Sequence, residues 1–216
     1  NHVLPAWDVA CGLYCALAVT AAVRARDLTG GGDAVKVALK DVALAISGSL
    51  GFFAEAQLND TERRRIGNHL YGGFARDFEC ADGGRLMLVA LTDRQWRELI
   101  AVTQTGPAVG ALETVLEADF KDESQRYEHR EVLAALLARW FARRTITEAS
   151  RELATTSVLW SRYRTFKDAA EAIRSGSEGD LFGSLEQPGV GTYLAPKLPV
   201  RFASFENCVA PAPILG

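Results

Sequence analysis

The most constraining feature of this sequence is a pair of contrasting segments joined by a tight-turn sequence. In residues 74–80 two sets of side chains alternate with a period of two, which predicts a β-strand. The Asp82-Gly83-Gly84 sequence that follows tolerates the positive φ angles of a hairpin turn. Residues 85–91 are almost unbroken apolar sequence, which predicts a second strand buried on both faces. The chain is therefore predicted to contain an antiparallel hairpin.

A glycine-rich loop and a helix start flank this hairpin. Residues 67–73, in front of it, read Gly-Asn-His-Leu-Tyr-Gly-Gly. Such a loop can present bare backbone N–H groups to a ligand, although the same glycines can equally serve turn geometry alone. Behind the hairpin, Thr92 and Gln95 have the spacing of a capping box, which predicts a helix after the second strand.

Helical and strand periodicities alternate along the rest of the chain. Before the loop they predict a helix over residues 5–27, a strand over 34–40 and a helix over 41–58 capped by Asp41, which is a piece of an α/β fold. After the hairpin they predict further helices and a third strand. Those helices cover residues 92–103, 108–116, 124–143 and 145–155, and the strand covers 158–163.

Changes in composition predict where the parts of the chain meet. Residues 59–65 are a charged, turn-rich linker, which marks a boundary after residue 58. From Ser175 onward helical spacing disappears and prolines punctuate an extended tail. A tail of this length without a helix of its own must pack on another surface. We therefore predict three parts, 1–58, 59–174 and 175–216.

Bulk composition excludes several classes of function. The chain has 216 residues and a formal net charge of −3, which gives no general argument for nucleic-acid binding. The four cysteines are too scattered for a disulfide framework, and the three histidines lack the spacing of metal ligands. Among them, His69 is the one with a plausible functional position, in the glycine loop.

The N-terminal sequence leads to two further expectations. The apolar run over residues 9–23 is too short to span a bilayer, so we expect a cytoplasmic protein that does not bind membranes. The chain begins at Asn1 without a methionine and almost at once with a helix signal. This start indicates a fragment, or a chain whose first part is missing.

Several short motifs occur in a fixed order. They are Arg65-x-Gly67-Asn68, Tyr71-Gly72-x-Phe74, the Asp82-Gly83 turn with its apolar strand, and Thr92-x-x-Gln95-Trp96. In this order they resemble the class III CoA-transferases. An earlier segment, with Thr29-Gly30-x-Gly32 followed by Val35, Val37, Leu39, Asp41 and Leu44, resembles another recurring pattern of that family. The resemblance covers nearly the whole chain.

The resemblance implies a fold and an assembly. The chain is similar to the C-terminal part of an α/β class III CoA-transferase fold. It would contain the end of the large α/β domain (1–58), a small α+β domain with a short antiparallel sheet (59–174), and an extended return segment (175–216). That segment would pack on the large domain or on a partner subunit, since the family forms interlocked homodimers.

The resemblance also implies a site and a reaction. The substrate would be a coenzyme A thioester, with no permanently bound cofactor and no metal. Asn68, Tyr71, Gly72 and Gly73 match the loop that covers the family's nucleophile, so they are the candidate substrate-binding residues. The nucleophile is an aspartate upstream of the region that matches Asn1. No residue of this chain matches it, Asp8 belonging to a later motif, so we expect the chain alone to be inactive.

Three functions stay open from the sequence. The first is transfer of CoA between carboxyl groups through an aspartyl thioester, within one C-branched dicarboxylate. The second is racemisation or epimerisation of 2-methylacyl-CoA thioesters, which needs bases for the α-proton instead of an acyl-accepting carboxylate. The third is a non-catalytic interaction domain, against which the hairpin and the proline-rich tail argue weakly.

Overall fold

The computed structural model describes residues 4–60, 62–177 and 179–214. The chain divides into two compact units, Asn1–Arg65 and Ile66–Gly216. The described residues of the first unit form the helices α1 (Ala6–Thr29), α2 (Leu39–Ser49) and α3 (Phe52–Asn59). Helix α1 ends at Gly30, whose φ of 77° lets its N–H donate to the Arg26 carbonyl at 2.7 Å. The predicted first helix is therefore confirmed.

The predicted strand over residues 34–40 is wrong. Residues 31–38 have no regular structure, and α2 begins at Leu39. Ala38 does have extended backbone (φ −103°, ψ 131°), so the local preference is present. A strand also needs a neighbour to accept its hydrogen bonds. The described residues of this unit supply no such neighbour.

The predicted helix over residues 41–58 is two helices. Gly51, with a φ of 81°, separates α2 from α3. Asp41 lies in the first turn of α2 instead of capping it, and Ala38 occupies the cap position. A carboxylate in the first turn still favours the helix dipole.

Helix α1 is longer than the apolar run over residues 9–23 on which the membrane expectation was based. Its 24 residues make it long and apolar enough, by length and composition alone, to cross a membrane. The core helix of a soluble protein passes the same test. None of its residues is buried within the chain.

The second unit is built on a three-stranded antiparallel sheet. Its strands are β1 (Phe74–Glu79), β2 (Arg85–Ala90) and β3 (Leu159–Arg162), in the order β1-β2-β3. The predicted hairpin and third strand are confirmed, with Phe74 opposite Ala90 and Leu88 opposite Trp160. Gly83 has the positive φ (76°) that the hairpin turn requires.

Strand β2 is less completely buried than its apolar sequence predicts. Leu86, Leu88 and Ala90 have no exposed surface. Met87 and Val89, on the opposite face, are half-buried, and Arg85 is exposed. One face of the strand therefore joins the core, and the other is only partly covered.

Helices pack on the buried face of this sheet. They are α4 (Asp93–Val102), α5 (Gly106–Leu116), α6 (Glu123–Glu128), α7 (Arg130–Phe141) and α8 (Ile146–Leu153). The predicted capping boxes are confirmed at Thr92 and Gln95 before α4, and at Thr145 and Glu148 before α8. The Phe78 ring of β1 stacks on the Phe141 ring of α7 with their centroids 4.4 Å apart, so sheet and helices share one core.

The predicted helix over residues 124–143 breaks at His129 into α6 and α7. Arg130 satisfies a carbonyl at the break, since its Nη1 donates to the Tyr127 carbonyl at 2.9 Å. In a continuous helix that carbonyl would accept the N–H of Glu131. The histidine ring meanwhile packs edge-to-face on Phe120, with the centroids 5.8 Å apart.

The last part of the chain contains more structure than predicted. Helix α9 (Phe166–Arg174) follows β3, and a second antiparallel hairpin is formed by β4 (Phe182–Gln187) and β5 (Gly191–Pro196). The helix has a full capping box between Thr165 and Asp168. Of the predicted extended tail, residues 197–214 have no helix or strand.

Candidate substrate-binding loop

The loop of residues 67–73 runs into β1 and contains two glycines in the left-handed region of backbone space. Gly67 has a φ of 62° and Gly72 a φ of 79°. Side chains rarely adopt such angles, so turn geometry favours glycine at both positions. The Leu70 N–H donates to the Ala75 carbonyl at 3.1 Å, which folds the loop back on the start of the strand.

Asn68 is anchored to an ion pair in the sheet. Its side chain hydrogen-bonds the carboxylate of Asp77, which is buried and lies 2.5 Å from Arg85 Nη1. Burial raises the pKa of Asp77. The hydrogen bonds from Arg85 and Asn68, with the charge of Arg85, more than offset this and hold the pKa below its ordinary value. Asp77 is therefore an ionised, fully committed carboxylate and a poor nucleophile.

His69 fixes the loop to helix α7. Its side chain is 3% exposed, and its Nε2 lies 3.2 Å from Glu131 Oε1 and 3.2 Å from Arg76 Nη1. Burial, opposed by the charge of Glu131, lowers the pKa of His69. Among the described residues, the buried Nδ1 has no hydrogen-bond partner. His69, the histidine with a predicted functional position, is therefore neutral and anchors the loop to α7.

The tip of the loop combines an exposed and a crowded glycine. Gly72 is exposed, whereas a Cβ added to Gly73 would lie 2.9 Å from Glu123 Oε1 and 3.2 Å from Leu91 Cδ2. The ring of Tyr71, 49% exposed, packs edge-to-face on Tyr127 at 5.2 Å between centroids. Among the described residues, the N–H group of the exposed Gly72 has no hydrogen-bond acceptor, whereas Gly73 is buried. The Gly72 N–H is available for an anionic or carbonyl oxygen.

A buried arginine supports the surface behind Gly73. Arg126 is 1% exposed, and its guanidinium donates to the carbonyls of Phe120, Lys121 and Leu91 at 2.8, 2.9 and 2.6 Å. Burial lowers the pKa of Arg126. This network holds Leu91 against the loop, and no sequence pattern pointed to it.

The structure thus brings Asn68, Tyr71, Gly72 and Gly73 into one loop. Asn68 and Tyr71 also have structural partners, and Gly72 offers a free, exposed backbone N–H group. The part of the chain that the structure describes contains no group of three potential metal ligands. The sequence did not reveal Glu123, Arg126 or Glu131, because their contacts join positions distant along the chain.

Comparison with known proteins decides the family. The family model described as CoA-transferase family III matches residues 2–216. The chain belongs to CoA-transferase family III. The predicted resemblance is therefore confirmed.

One curated relative of this family III chain is the 2-methylfumaryl-CoA isomerase of Chloroflexus aurantiacus. It is 46% identical over 218 residues, which cover 100% of this chain and 53% of the isomerase. The matched region is the C-terminal part of the relative. The chain therefore spans about half the length of the curated relative that it matches.

Solved structures agree with this placement. The Mycobacterium tuberculosis protein Rv3272 superposes with a TM-score of 0.71 at 25% identity, over 98% of this chain and 54% of that one. A CAIB/BAIF family protein from Brucella suis superposes with a TM-score of 0.68 at 20% identity, over 96% of this chain and 51% of that one. The predicted fold class, the C-terminal part of a family III fold, is confirmed.

Proposed function

We propose that the protein containing this chain transfers coenzyme A between carboxyl groups within one C-branched dicarboxylate, using 2-methylfumaryl-CoA as substrate. The observation that carries the proposal is the 46% identity to 2-methylfumaryl-CoA isomerase, which extends over the whole chain. The family itself is that of CoA-transferases. A reaction of this class needs a CoA thioester and no bound metal or cofactor.

In the proposed mechanism a carboxylate nucleophile attacks the thioester carbonyl and expels the CoA thiolate, which leaves an acyl anhydride on the enzyme. The thiolate then attacks the enzyme's own carbonyl of that anhydride. This step releases the substrate carboxylate and leaves an enzyme–CoA thioester. The two steps then run in reverse at the other carboxylate of the dicarboxylate. That carboxylate attacks the enzyme–CoA thioester and expels the CoA thiolate, and the thiolate attacks the substrate carbonyl of the new anhydride. CoA is thereby moved to the new position, and the enzyme carboxylate is released.

The loop of residues 67–73 would cover the reacting carbonyl. The free N–H group of the exposed Gly72 suits an oxygen that gains negative charge during the attack. Asn68 and Tyr71 are exposed beside it and would contact the acyl-CoA. As the family resemblance implies, the nucleophilic aspartate would come from a segment upstream of the region that matches Asn1. Within the loop's surroundings, Asp77 is paired with Arg85 and would not act as the nucleophile.

The same proposal extends to assembly and location. Residues 1–58 would complete a large domain, 59–174 would form the small domain, and 175–216 would return to the large domain or to the partner of a homodimer. We place the protein in the cytoplasm.

Incubation with 2-methylfumaryl-CoA and hydroxylamine tests this proposal. We expect no turnover by the 216-residue chain alone. A longer protein, with an upstream segment equivalent to the unmatched part of the Chloroflexus isomerase, should isomerise the substrate. It should also lose activity as hydroxylamine traps the enzyme thioester.

Two outcomes would contradict the proposal. Turnover by the chain alone would place the nucleophile within it. Racemisation of a 2-methylacyl-CoA by the longer protein, without a trappable thioester, would favour proton abstraction over transfer.

A further inference from the structure

A pocket of about 390 Å³ lies in the second unit, away from the glycine loop, where the end of α7 meets the connection between α4 and α5. Its lining consists of polar and cationic side chains with a few apolar ones: Thr103, Gln104, Thr105, Ala108, Leu136, Arg139, Trp140, Arg143 and Arg144. Three guanidinium groups line it, and none of the lining residues carries a carboxylate. The concentration of positive charge is notable in a chain with a net charge of −3.

The three arginines differ in whether their guanidinium groups already have partners within the chain. Arg144 is held in place, because its Nε lies 3.0 Å from Glu152 Oε1 and its guanidinium stacks 4.1 Å above the Trp140 ring. Arg139 and Arg143 are exposed and, among the described residues, have no ion pair or hydrogen bond. Arg139 lies in the last turn of α7 and Arg143 in the turn that follows the helix, and both side chains line the pocket.

Neutral residues line the same pocket beside the arginines, among them Thr105, Ala108 and Trp140. Helix α5 begins here, and its cap residue Thr105 makes no side-chain cap hydrogen bond. Among the described residues, the N–H groups of Gly106 and Ala108 have no acceptor, so the positive end of this 11-residue helix is open. Trp140 is 6% exposed, and no described residue accepts a hydrogen bond from its buried Nε1.

A second arginine-lined groove in the same unit provides a contrast, because carboxylates of the chain itself neutralise its arginines. Arg76 and Arg85 line that groove of about 600 Å³. Arg76 pairs with Glu131 at 3.2 Å, and Arg85 pairs with Asp77 at 2.5 Å. An added anion would have to compete with these carboxylates there, whereas at Arg139 and Arg143 it would meet no competitor from the described chain.

We propose that the pocket at Arg139 and Arg143 binds a phosphate-bearing anion. Guanidinium groups match phosphate oxygens with paired hydrogen bonds, and the open N–H groups of α5 suit the same oxygens. The pocket has room for a diphosphate. This proposal rests on the pocket alone and is independent of the proposed function.

Titration of the 216-residue chain with pyrophosphate tests the proposal. We expect saturable one-to-one binding by calorimetry at low salt, and a shift of the Trp140 indole N–H signal, identified with Trp140→Phe. Arg139→Gln combined with Arg143→Gln should weaken binding about tenfold or more, because charge-assisted hydrogen bonds are the strong ones. Both side chains are exposed, so the variant should keep its thermal midpoint.

The matched control is Arg151→Gln combined with Arg174→Gln. These arginines are also exposed and unpaired among the described residues, but they do not line the pocket. The control should bind pyrophosphate like the unaltered chain. Absence of saturable binding, or equal weakening in the two double variants, would overturn the proposal.

Two further titrations identify the source of the phosphate. Binding of coenzyme A that is lost in the Arg139/Arg143 variant would show that the pocket takes phosphates carried by a larger ligand. Binding of pyrophosphate and inorganic phosphate without binding of coenzyme A would show a pocket for the free anion. Because neither titration involves turnover, failure of the isomerase activity would leave this result unaffected.

Discussion

The two compact units bury their apolar side chains to very different degrees. In the second unit, the hairpin and helices α4–α8 share a core in which Phe74, Leu86, Leu88 and Leu137 are at most 1% exposed. In the described residues of the first unit, Val42 alone is buried. Helix α1 leaves Leu13 68% and Leu17 67% exposed. The second unit completes its own core within this chain, whereas the first does not.

This contrast shows what a sequence pattern can and cannot specify. Both units contain strongly apolar elements, but an apolar face stabilises a fold only when another surface covers it. In the second unit the helices following β2 provide that surface. In the first unit the described residues provide little of it, in agreement with a chain that spans about half of its relative.

The largest expected effect is a difference in the free energy of unfolding between two matched leucine-to-alanine substitutions, one in each unit. Leu88→Ala removes a side chain with no exposed surface from β2 and should lower the free energy of unfolding by about 3 kcal/mol. Leu17→Ala, on the exposed face of α1, should change it by less than about 0.5 kcal/mol. Urea unfolding followed by circular dichroism measures both values. Similar losses from the two variants would mean that the first unit has a core of its own.

A smaller loss of stability is expected at low pH, and it arises from a carboxylate in the second unit. Hydrogen bonds from Arg94 and from the backbone of Ser157 lower the pKa of Glu98 to about 2. A carboxyl group with a depressed folded-state pKa stabilises the fold above its ordinary pKa near 4.5. That contribution is lost as the pH falls from there toward 2.

Glu98→Gln should therefore lower the thermal midpoint at pH 7 and have less effect near pH 2. Because Glu98 Oε2 accepts the Ser157 N–H at 2.5 Å, the contact ties α4 to the start of β3. Scanning calorimetry at several pH values measures the difference. If the thermal midpoint of Glu98→Gln differed from that of the original chain by the same amount at every pH, the Glu98 carboxylate would have the same pKa in the folded and unfolded states.

Local sequence signals predicted much of the second unit. The Asp82-Gly83 turn and the capping boxes at Thr92 and Thr145 determine their own geometry, so they are correct to within a residue or two. The break at His129 was missed because the apolar spacing continues across it, while the Tyr127 carbonyl at the break is satisfied by the Arg130 side chain. The strand over residues 34–40 was predicted wrongly because pairing, which the local pattern does not contain, decides whether a strand forms.

In the candidate site, too, local features were predictable from the sequence and contacts between distant positions were not. The glycine loop was visible in the sequence, since Gly67 and Gly72 adopt positive φ angles that glycine reaches without strain. Its anchors were not visible. His69 meets Glu131, and Gly73 is crowded by Glu123, only after the helices have packed.

Hydrogen–deuterium exchange of the 216-residue chain, followed by mass spectrometry, tests the central contrast most directly. Amides of β2 and α7 should be protected close to the global limit. Those of α1 should exchange faster by about two orders of magnitude or more, because an exposed helix opens without disrupting a core. Protection of α1 equal to that of β2 would contradict the account. It would mean that another apolar surface of this chain covers the helix.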